Sequence, residues 1–161
     1  MNRGYSGYNT RMAKLVLPHL VPRAAADDDT APTLCTIFFG ANDAALPDRT
    51  SAKQHVALDV YTNNLRSMVT YLRKEGGVRR VILITPPPVS EPHRIVHAKE
   101  TYGIDLPLGS ERTLEVTGRY AEACRELARE MDVPCVDLFG TFTAVDGYES
   151  LKFALQLLGR R

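Results

Sequence analysis

The chain of 161 residues lacks three features that would each point to a class of function. Its formal net charge is only +1, and no cluster of Lys and Arg alternates with aromatic residues, so nucleic acid is not an expected partner. No apolar run approaches the roughly 18 residues that a membrane span needs. The amino-terminal residues lack the apolar core of a secretory signal. We therefore expect no nucleic acid, no membrane span and no secretory leader.

Cysteine is scarce and odd in number, with Cys35, Cys124 and Cys135 each in an apolar or helical context. This pattern predicts reduced core thiols in a cytoplasmic protein. Cys35 lies inside an apolar run rather than at its end, so we interpret it as a packing residue and not as a nucleophile.

Apolar side chains make up 44% of the residues, which is enough to bury the core of a single domain over 1–161. The most informative stretch begins with the apolar run Leu34 to Phe39, which predicts a strand buried on both faces. Gly40 ends the run, and Asn42 and Asp43 follow at the carboxyl end, where open α/β sheets bind ligands. The alternative is ordinary turn chemistry, because Asn and Asp often bond their own backbone.

Periodicity and turn residues predict an alternation of helices and strands along the chain. The first helix is capped by Asn9 or Thr10, and Pro18 is expected to kink it or end it early. Its inward face is predicted to hold Met12, Leu15, Val16, His19 and Leu20. The later elements are a helix over Val56–Lys74, a strand over Arg80–Thr85, an irregular segment over 89–110, a helix over Arg112–Met131, a strand over Pro134–Phe139 and a helix over Ser150–Gly159. This order predicts a parallel sheet with helices on both faces.

The segment Gly4-Tyr5-Ser6-Gly7-Tyr8 invites comparison with the nucleophile elbow Gly-x-Ser-x-Gly. The second glycine comes one position early, Tyr8 occupies the required glycine position, and no apolar strand precedes the segment. We therefore do not expect Ser6 to be a nucleophile.

Two segments together carry a family resemblance, namely residues 2–10 and Phe39-Gly40-Ala41-Asn42-Asp43. In order and spacing they resemble the SGNH, or GDSL-type, hydrolases. The branch of isoamyl acetate-hydrolysing esterases is the most similar, and the segments Thr10 to Lys14 and Val81 to Pro86 also resemble it.

The resemblance implies a three-layer α/β/α, flavodoxin-like fold and hydrolysis of small carboxylic esters without a metal or an organic cofactor. In such enzymes a serine attacks the acyl carbon, assisted by a histidine base and an aspartate. The oxyanion is held by the serine N–H, a glycine N–H and an asparagine amide, and the last two positions correspond to Gly7 and Asn42. Asp43 would by the same likeness tie down the loop.

The chain departs from that family where the nucleophile and the base belong. The Gly-Asp-Ser motif, which in the family precedes the glycine-containing segment, is absent. The place of the family's Asp-x-x-His is taken by Asp146-Gly147-Tyr148-Glu149, and no histidine occurs after His97. The nucleophilic Ser and the catalytic Asp and His are therefore expected to be missing, and this truncated chain is predicted to be inactive alone.

A missing first strand also predicts an incomplete sheet. In the strand order 2-1-3-4-5 the first strand lies beside the strand that contains Leu34, which would leave that strand with an unpaired edge. Unpaired apolar edges promote pairing between chains, so self-association through this edge is expected.

Two competing interpretations remain at this stage. His93 and His97 are spaced so that both could reach one zinc ion on a helix, but no Glu follows the first histidine, so a solvated histidine pair in a loop is the plainer interpretation. The chain could also be a non-catalytic relative that binds small ligands or a protein partner.

Overall fold

The computed structural model describes residues 2, 4–24 and 31–145. In chain order its elements are α1 (Thr10–Leu20), β1 (Leu34–Phe38), a 3-10 turn (Ala52–Gln54), α2 (Leu58–Lys74), β2 (Arg80–Ile84), α3 (Glu91–Tyr102), α4 (Leu114–Glu130), β3 (Cys135–Val136) and α5 (Leu138–Thr143). The segment Asp146–Glu149 and the helix expected over Ser150–Gly159 lie outside the described residues.

The three described strands form one parallel sheet in the order β1-β2-β3, which confirms the predicted parallel α/β architecture. β1 and β2 are in register from the pair Leu34 and Arg80 to the pair Phe38 and Ile84. Within the described residues β1 pairs with β2 alone, so it has the free edge that the sequence predicted. The carboxyl ends of β1 and β2 therefore meet at one edge of the sheet.

The core lies between the sheet and the two long helices α2 and α4, which pack against each other and against β2. Both helices are amphipathic, as their apolar spacing predicts. The sheet contributes Ile37, Val81 and Leu83 to this core. The helices contribute Tyr61, Leu65, Met68, Val69, Leu72, Tyr120, Cys124 and Leu127.

The prediction that β1 is buried on both faces is wrong for this structure. Ile37 points into the core at 5% exposure, whereas Leu34 and Phe38 are 50% and 49% exposed. The exposed residues alternate with the inward ones, as expected for a strand with only one covered face.

The inward face predicted for α1 is only partly right, because Leu20 packs against the core as predicted and other members of that face do not. Met12 and Leu15 are exposed, whereas Ala13 is buried and Leu17 packs against the core. The small side chain of Ala13 lies on the buried side of α1, and α1 packs against α2. Pro18 does not end the helix early, because it stands in the last turn, where only one backbone hydrogen bond is lost.

Two further expectations need correction after β2. The segment 89–110 is not irregular throughout, since it contains α3, in which Pro92 occupies the first turn, where a missing N–H costs little. β3 is shorter than predicted, because the Asp137 side chain accepts a hydrogen bond from Gly140 N at 2.9 Å and begins α5. In the described part of the chain, no helix combines the length and the apolar character needed to cross a bilayer.

Candidate functional site

A cavity of about 740 Å³ lies at the edge of the sheet where β1 and β2 end. Its walls come from the loop before α1, the loop after β1, the 3-10 turn, the segment from Pro87 through α3, and the residues just before α4. Ligand sites of α/β proteins typically occupy this end of the sheet.

Gly7 and Asn42, the two residues that the resemblance assigns to the oxyanion, both line this cavity. Their loops are joined directly, because the Asn42 Nδ2 donates to the Tyr8 carbonyl at 2.8 Å. Gly7 has a φ of +79°, a conformation that side chains with a Cβ rarely adopt. A glycine at this position also lets its backbone approach a bound molecule closely.

The amide of Asn42 has a defined orientation. Its Oδ1 accepts from Arg112 Nη2 at 3.1 Å, while its Nδ2 faces Tyr8. A primary amide carries two N–H donors, so one remains for a ligand when Tyr8 holds the other.

The turn that presents Asn42 depends on Gly40. Its φ is +118°, and a Cβ at this position would lie 2.9 Å from Pro86 Cγ and 3.0 Å from the Tyr61 hydroxyl. Only glycine fits this combination of backbone conformation and close packing. Gly40, which lies two residues after the end of β1, is therefore the turn residue that the sequence predicts.

Asp43 ties the same turn to the start of α1. Its Oδ1 accepts from Thr10 N at 2.9 Å and from Thr10 Oγ1 at 2.5 Å. Burial raises the pKa of Asp43, although the hydrogen bonds from Thr10 oppose that effect. Asn42 and Asp43 thus reach residues 34 and 33 positions away, so the turn is more than local chemistry.

Arg112, which the sequence analysis treated only as the beginning of a helix, lies at the centre of the site. It is 7% exposed, and its Nε donates to Ala41 O at 2.6 Å. Its Nη2 donates to Asn42 and also to Gln54 Oε1. Gln54 in turn donates from Nε2 to Gly7 O at 3.3 Å. Arg112 and Gln54 therefore connect the two predicted oxyanion residues.

Arg112 is paired with Glu111, whose Oε1 accepts from Arg112 Nη1 at 2.9 Å and also from Arg94 Nη2. Burial lowers the pKa of Arg112, and Arg94 acts in the same direction, whereas Glu111 opposes both. Burial by itself would raise the pKa of Glu111, but the pKa lies below its usual range because Arg94 and the Glu111 backbone donate to the carboxylate.

Ser6 and His93 also line the cavity. His93 Nδ1 lies 2.7 Å from Ser90 Oγ, and Ser90 is the N-cap residue of α3. The contact spans the first turn of α3, so we interpret it as a helix-start contact like a capping box. His97 lies one turn further along and contacts Thr101 Oγ1 at 2.9 Å. Over the described ranges, no group of three or more His, Cys, Asp or Glu is arranged to hold a metal ion.

The model of the GDSL-like lipase/acylhydrolase family matches residues 1–155 of the chain. A GDSL esterase/lipase of Arabidopsis thaliana is 43% identical over 147 residues, which cover 91% of this chain and 60% of the plant protein. The isoamyl acetate-hydrolyzing esterase 1 homolog of Mus musculus is 46% identical over 140 residues, 86% of this chain and 53% of the mouse protein. The chain thus spans between about half and three fifths of the length of these relatives.

Solved structures show the same fold at lower sequence identity. A lipase/acylhydrolase from Enterococcus faecalis superposes with a TM-score of 0.63 at 24% identity, covering 89% of this chain and 57% of the bacterial chain. Axe2, an acetylxylan esterase from Geobacillus stearothermophilus, gives 0.60 at 24% identity and covers 94% of this chain and 57% of its own.

Proposed function

Because this chain belongs to the GDSL-like lipase/acylhydrolase family, we propose that it forms the oxyanion-binding half of an esterase site for small carboxylic esters. Acetate esters are the first substrates to test, since the mouse relative is an isoamyl acetate-hydrolyzing esterase 1 homolog. The Gly7 N–H and the Asn42 amide are the two donors that would hold the negative oxygen of the tetrahedral intermediate. A single donor of this kind contributes about 3 kcal/mol to lowering the barrier.

One observation supports this assignment most directly. Gly7 and Asn42 line the same cavity, although they are far apart in the chain, and the Asn42 amide keeps one N–H beyond the one that binds Tyr8. Both donors are neutral, so they can stabilise a developing negative charge without adding a group that titrates.

We further propose that the 161-residue chain by itself does not turn over esters. Oxyanion donors lower a barrier but do not replace a nucleophile and a base, and the Gly-Asp-Ser motif is absent from the sequence. The test is p-nitrophenyl acetate hydrolysis by the chain beside its Gly7/Asn42 double variant. Equal rates are expected, and turnover that Asn42→Ala abolishes would contradict the inactivity while supporting the assigned donor.

The assignment of Asn42 is tested best in a chain that has a nucleophile. If the 5′ region of the transcript encodes an in-frame Gly-Asp-Ser strand, the extended protein is expected to hydrolyse p-nitrophenyl acetate. Asn42→Ala should then lower kcat by about 10²- to 10³-fold. Asn63→Ala, which changes an exposed asparagine on α2, serves as the matched control. Equal kcat values for the two variants would rule out Asn42 as a donor.

The free edge of β1 is the surface through which we propose that two copies associate. The strand Leu34–Phe38 carries no charge, pairs with β2 alone in the described sheet, and exposes Leu34 and Phe38. Light scattering on the purified chain is expected to give the mass of a dimer, which Thr36→Lys returns to a monomer. A monomer in the unmodified chain would contradict this proposal.

We also propose a cytoplasmic location. Cys35, Cys124 and Cys135 are all free thiols in the structure, as expected in a reducing compartment. Fluorescence microscopy of the tagged protein tests this, and enrichment in a secretory compartment would contradict it.

A further inference from the structure

We propose that Arg112 is a positioning residue for both oxyanion donors, because its guanidinium orients the Asn42 amide directly and the Gly7 backbone through Gln54. The inference rests on the proposed function, since it explains how those two donors are held. It adds two residues, Arg112 and Gln54, that the resemblance does not assign to the site.

The first step is the orientation of the Asn42 amide. An asparagine side chain can turn by half a rotation and exchange its oxygen with its nitrogen. Arg112 offers only donors and Tyr8 offers a carbonyl acceptor. Together they are compatible with only one of the two orientations of the Asn42 amide. That orientation turns Oδ1 to Arg112 and leaves the second Nδ2 hydrogen for an oxyanion.

Arg112 also orients the side-chain amide of Gln54. Its Oε1 accepts from Arg112 Nη2, which leaves Nε2 to donate to the Gly7 carbonyl at 3.3 Å. Asn9 holds the backbone of the same residue, because its Nδ2 donates to Gln54 O at 3.0 Å. Gly7 carries no Cβ and has a positive φ, so outside contacts must fix its conformation.

Most donors of Arg112 are held by protein acceptors rather than left for a substrate anion. A guanidinium has five N–H donors in a rigid fork. Nε donates to Ala41 O, Nη1 to Glu111, and Nη2 to Asn42 and Gln54. These contacts use four of the five donors, and Nε and Nη2 are directed to Ala41, Asn42 and Gln54, so Arg112 acts on the site mainly through its neighbours.

Arg112 is itself fixed by the core. It stands immediately before Thr113, the N-cap of α4, and α4 is anchored by Tyr120 and Leu127. The loop contacts of Arg112 span 58 to 71 positions of sequence. A residue at the start of a core helix thereby positions the loop after β1 directly and the loop before α1 through the 3-10 turn.

The experiment uses nuclear magnetic resonance of the ¹⁵N-labelled chain during titration with sodium acetate, whose carboxylate mimics the oxyanion. In the unmodified chain the Gly7 N–H and the Asn42 Nδ2 signals are expected to shift with a common dissociation constant. Arg112→Lys keeps the positive charge but loses the forked donors of the guanidinium, so we expect about tenfold weaker acetate binding. We also expect the signals of the two Asn42 Nδ2 hydrogens to move toward each other. Arg125→Lys, at a partly buried arginine outside the cavity, is the control and should change neither.

Gln54→Glu tests the contact with Gly7 separately from the contact with Asn42. It also provides a test if Arg112→Lys does not fold. It keeps the acceptor for Arg112 and removes the donor to Gly7, so the acetate response of Gly7 should weaken several-fold while the free-state Asn42 signals stay in place. Unchanged Asn42 signals and acetate affinity in a folded Arg112→Lys variant, or an unchanged Gly7 response in Gln54→Glu, would overturn the inference. Failure of acetate to shift either signal in the unmodified chain would instead count against the proposed function, and the Asn42 signals without acetate would still report on Arg112.

Discussion

Along β1, Leu34 and Phe38 keep about half of their surface exposed, whereas Asp43, a few residues further on, is completely buried. The strand is held from one side by β2, while the turn after it is held by hydrogen bonds to Thr10, Tyr8 and other distant residues. The geometry of the site therefore depends on hydrogen bonds between loops more than on the surroundings of β1, the strand that leads into it. It follows that the proposed oxyanion half can keep its shape while the edge of β1 is free in the described sheet.

The largest expected difference is in the free energy of unfolding, between a leucine-to-alanine substitution on β2 and the same substitution on β1. Leu83→Ala on β2 removes a side chain with 0% exposure and should lower the free energy of unfolding by about 3 kcal/mol. Leu34→Ala on β1, where the leucine is 50% exposed, should lower it by less than about 1 kcal/mol. Urea denaturation measures both, and equal losses would show that the edge of β1 is covered in solution.

The next effect concerns the turn rather than the strand. Asp43→Ala leaves Thr10 N–H without its acceptor and should cost about 2 kcal/mol of unfolding free energy. The control is Asp48→Ala in the same loop, whose side chain is 70% exposed and which should change stability by less than about 0.5 kcal/mol. If the two variants are equally stable, the turn does not depend on its bond to α1.

The sequence predicts the strands and the turn after β1 better than it predicts the hydrogen bonds around Arg112. The β1 strand, its parallel partner β2, and the placement of Asn42 and Asp43 after β1 follow from the apolar runs, whereas Gly7 is indicated only by the family resemblance. Arg112 and Gln54 could not be found that way, because their contacts within the site join residues 47 to 71 positions apart and leave no local pattern. The only local signal was the position of Arg112 just before a helix cap.

Two elements were missed for local reasons. α3 has only a weak apolar stripe, with Ile95 and Val96 exposed, so its periodicity does not stand out, although Pro92 is compatible with the start of a helix. The strand predicted up to Phe139 stops early because Asp137 caps α5. An acidic residue followed by apolar residues is compatible with a strand or with the start of a helix. In the structure Asp137 begins a helix, and its Oδ1 also accepts from Thr85 Oγ1 at 3.2 Å, a contact distant in sequence.

The smallest effect is a dependence on pH that reports on the network around Arg112. The pKa of Glu111 is lowered in the folded protein, so its contribution to stability is present above the unfolded pKa of about 4.3 and is lost as pH falls through the lower folded value. Urea denaturation of the unmodified chain and of Glu111→Gln should therefore differ most near neutral pH and converge in acid. A difference that stays constant with pH would mean that the ionised carboxylate does not contribute through its arginine partners.

A crystal structure of the chain with acetate would show whether Gly7 and Asn42 donate to the same oxygen atom. We expect one acetate oxygen within about 3 Å of both Gly7 N and Asn42 Nδ2, with Asn42 Oδ1 still facing Arg112. Acetate bound elsewhere in the cavity, with the two nitrogen atoms directed to different places, would rule out a shared oxyanion site.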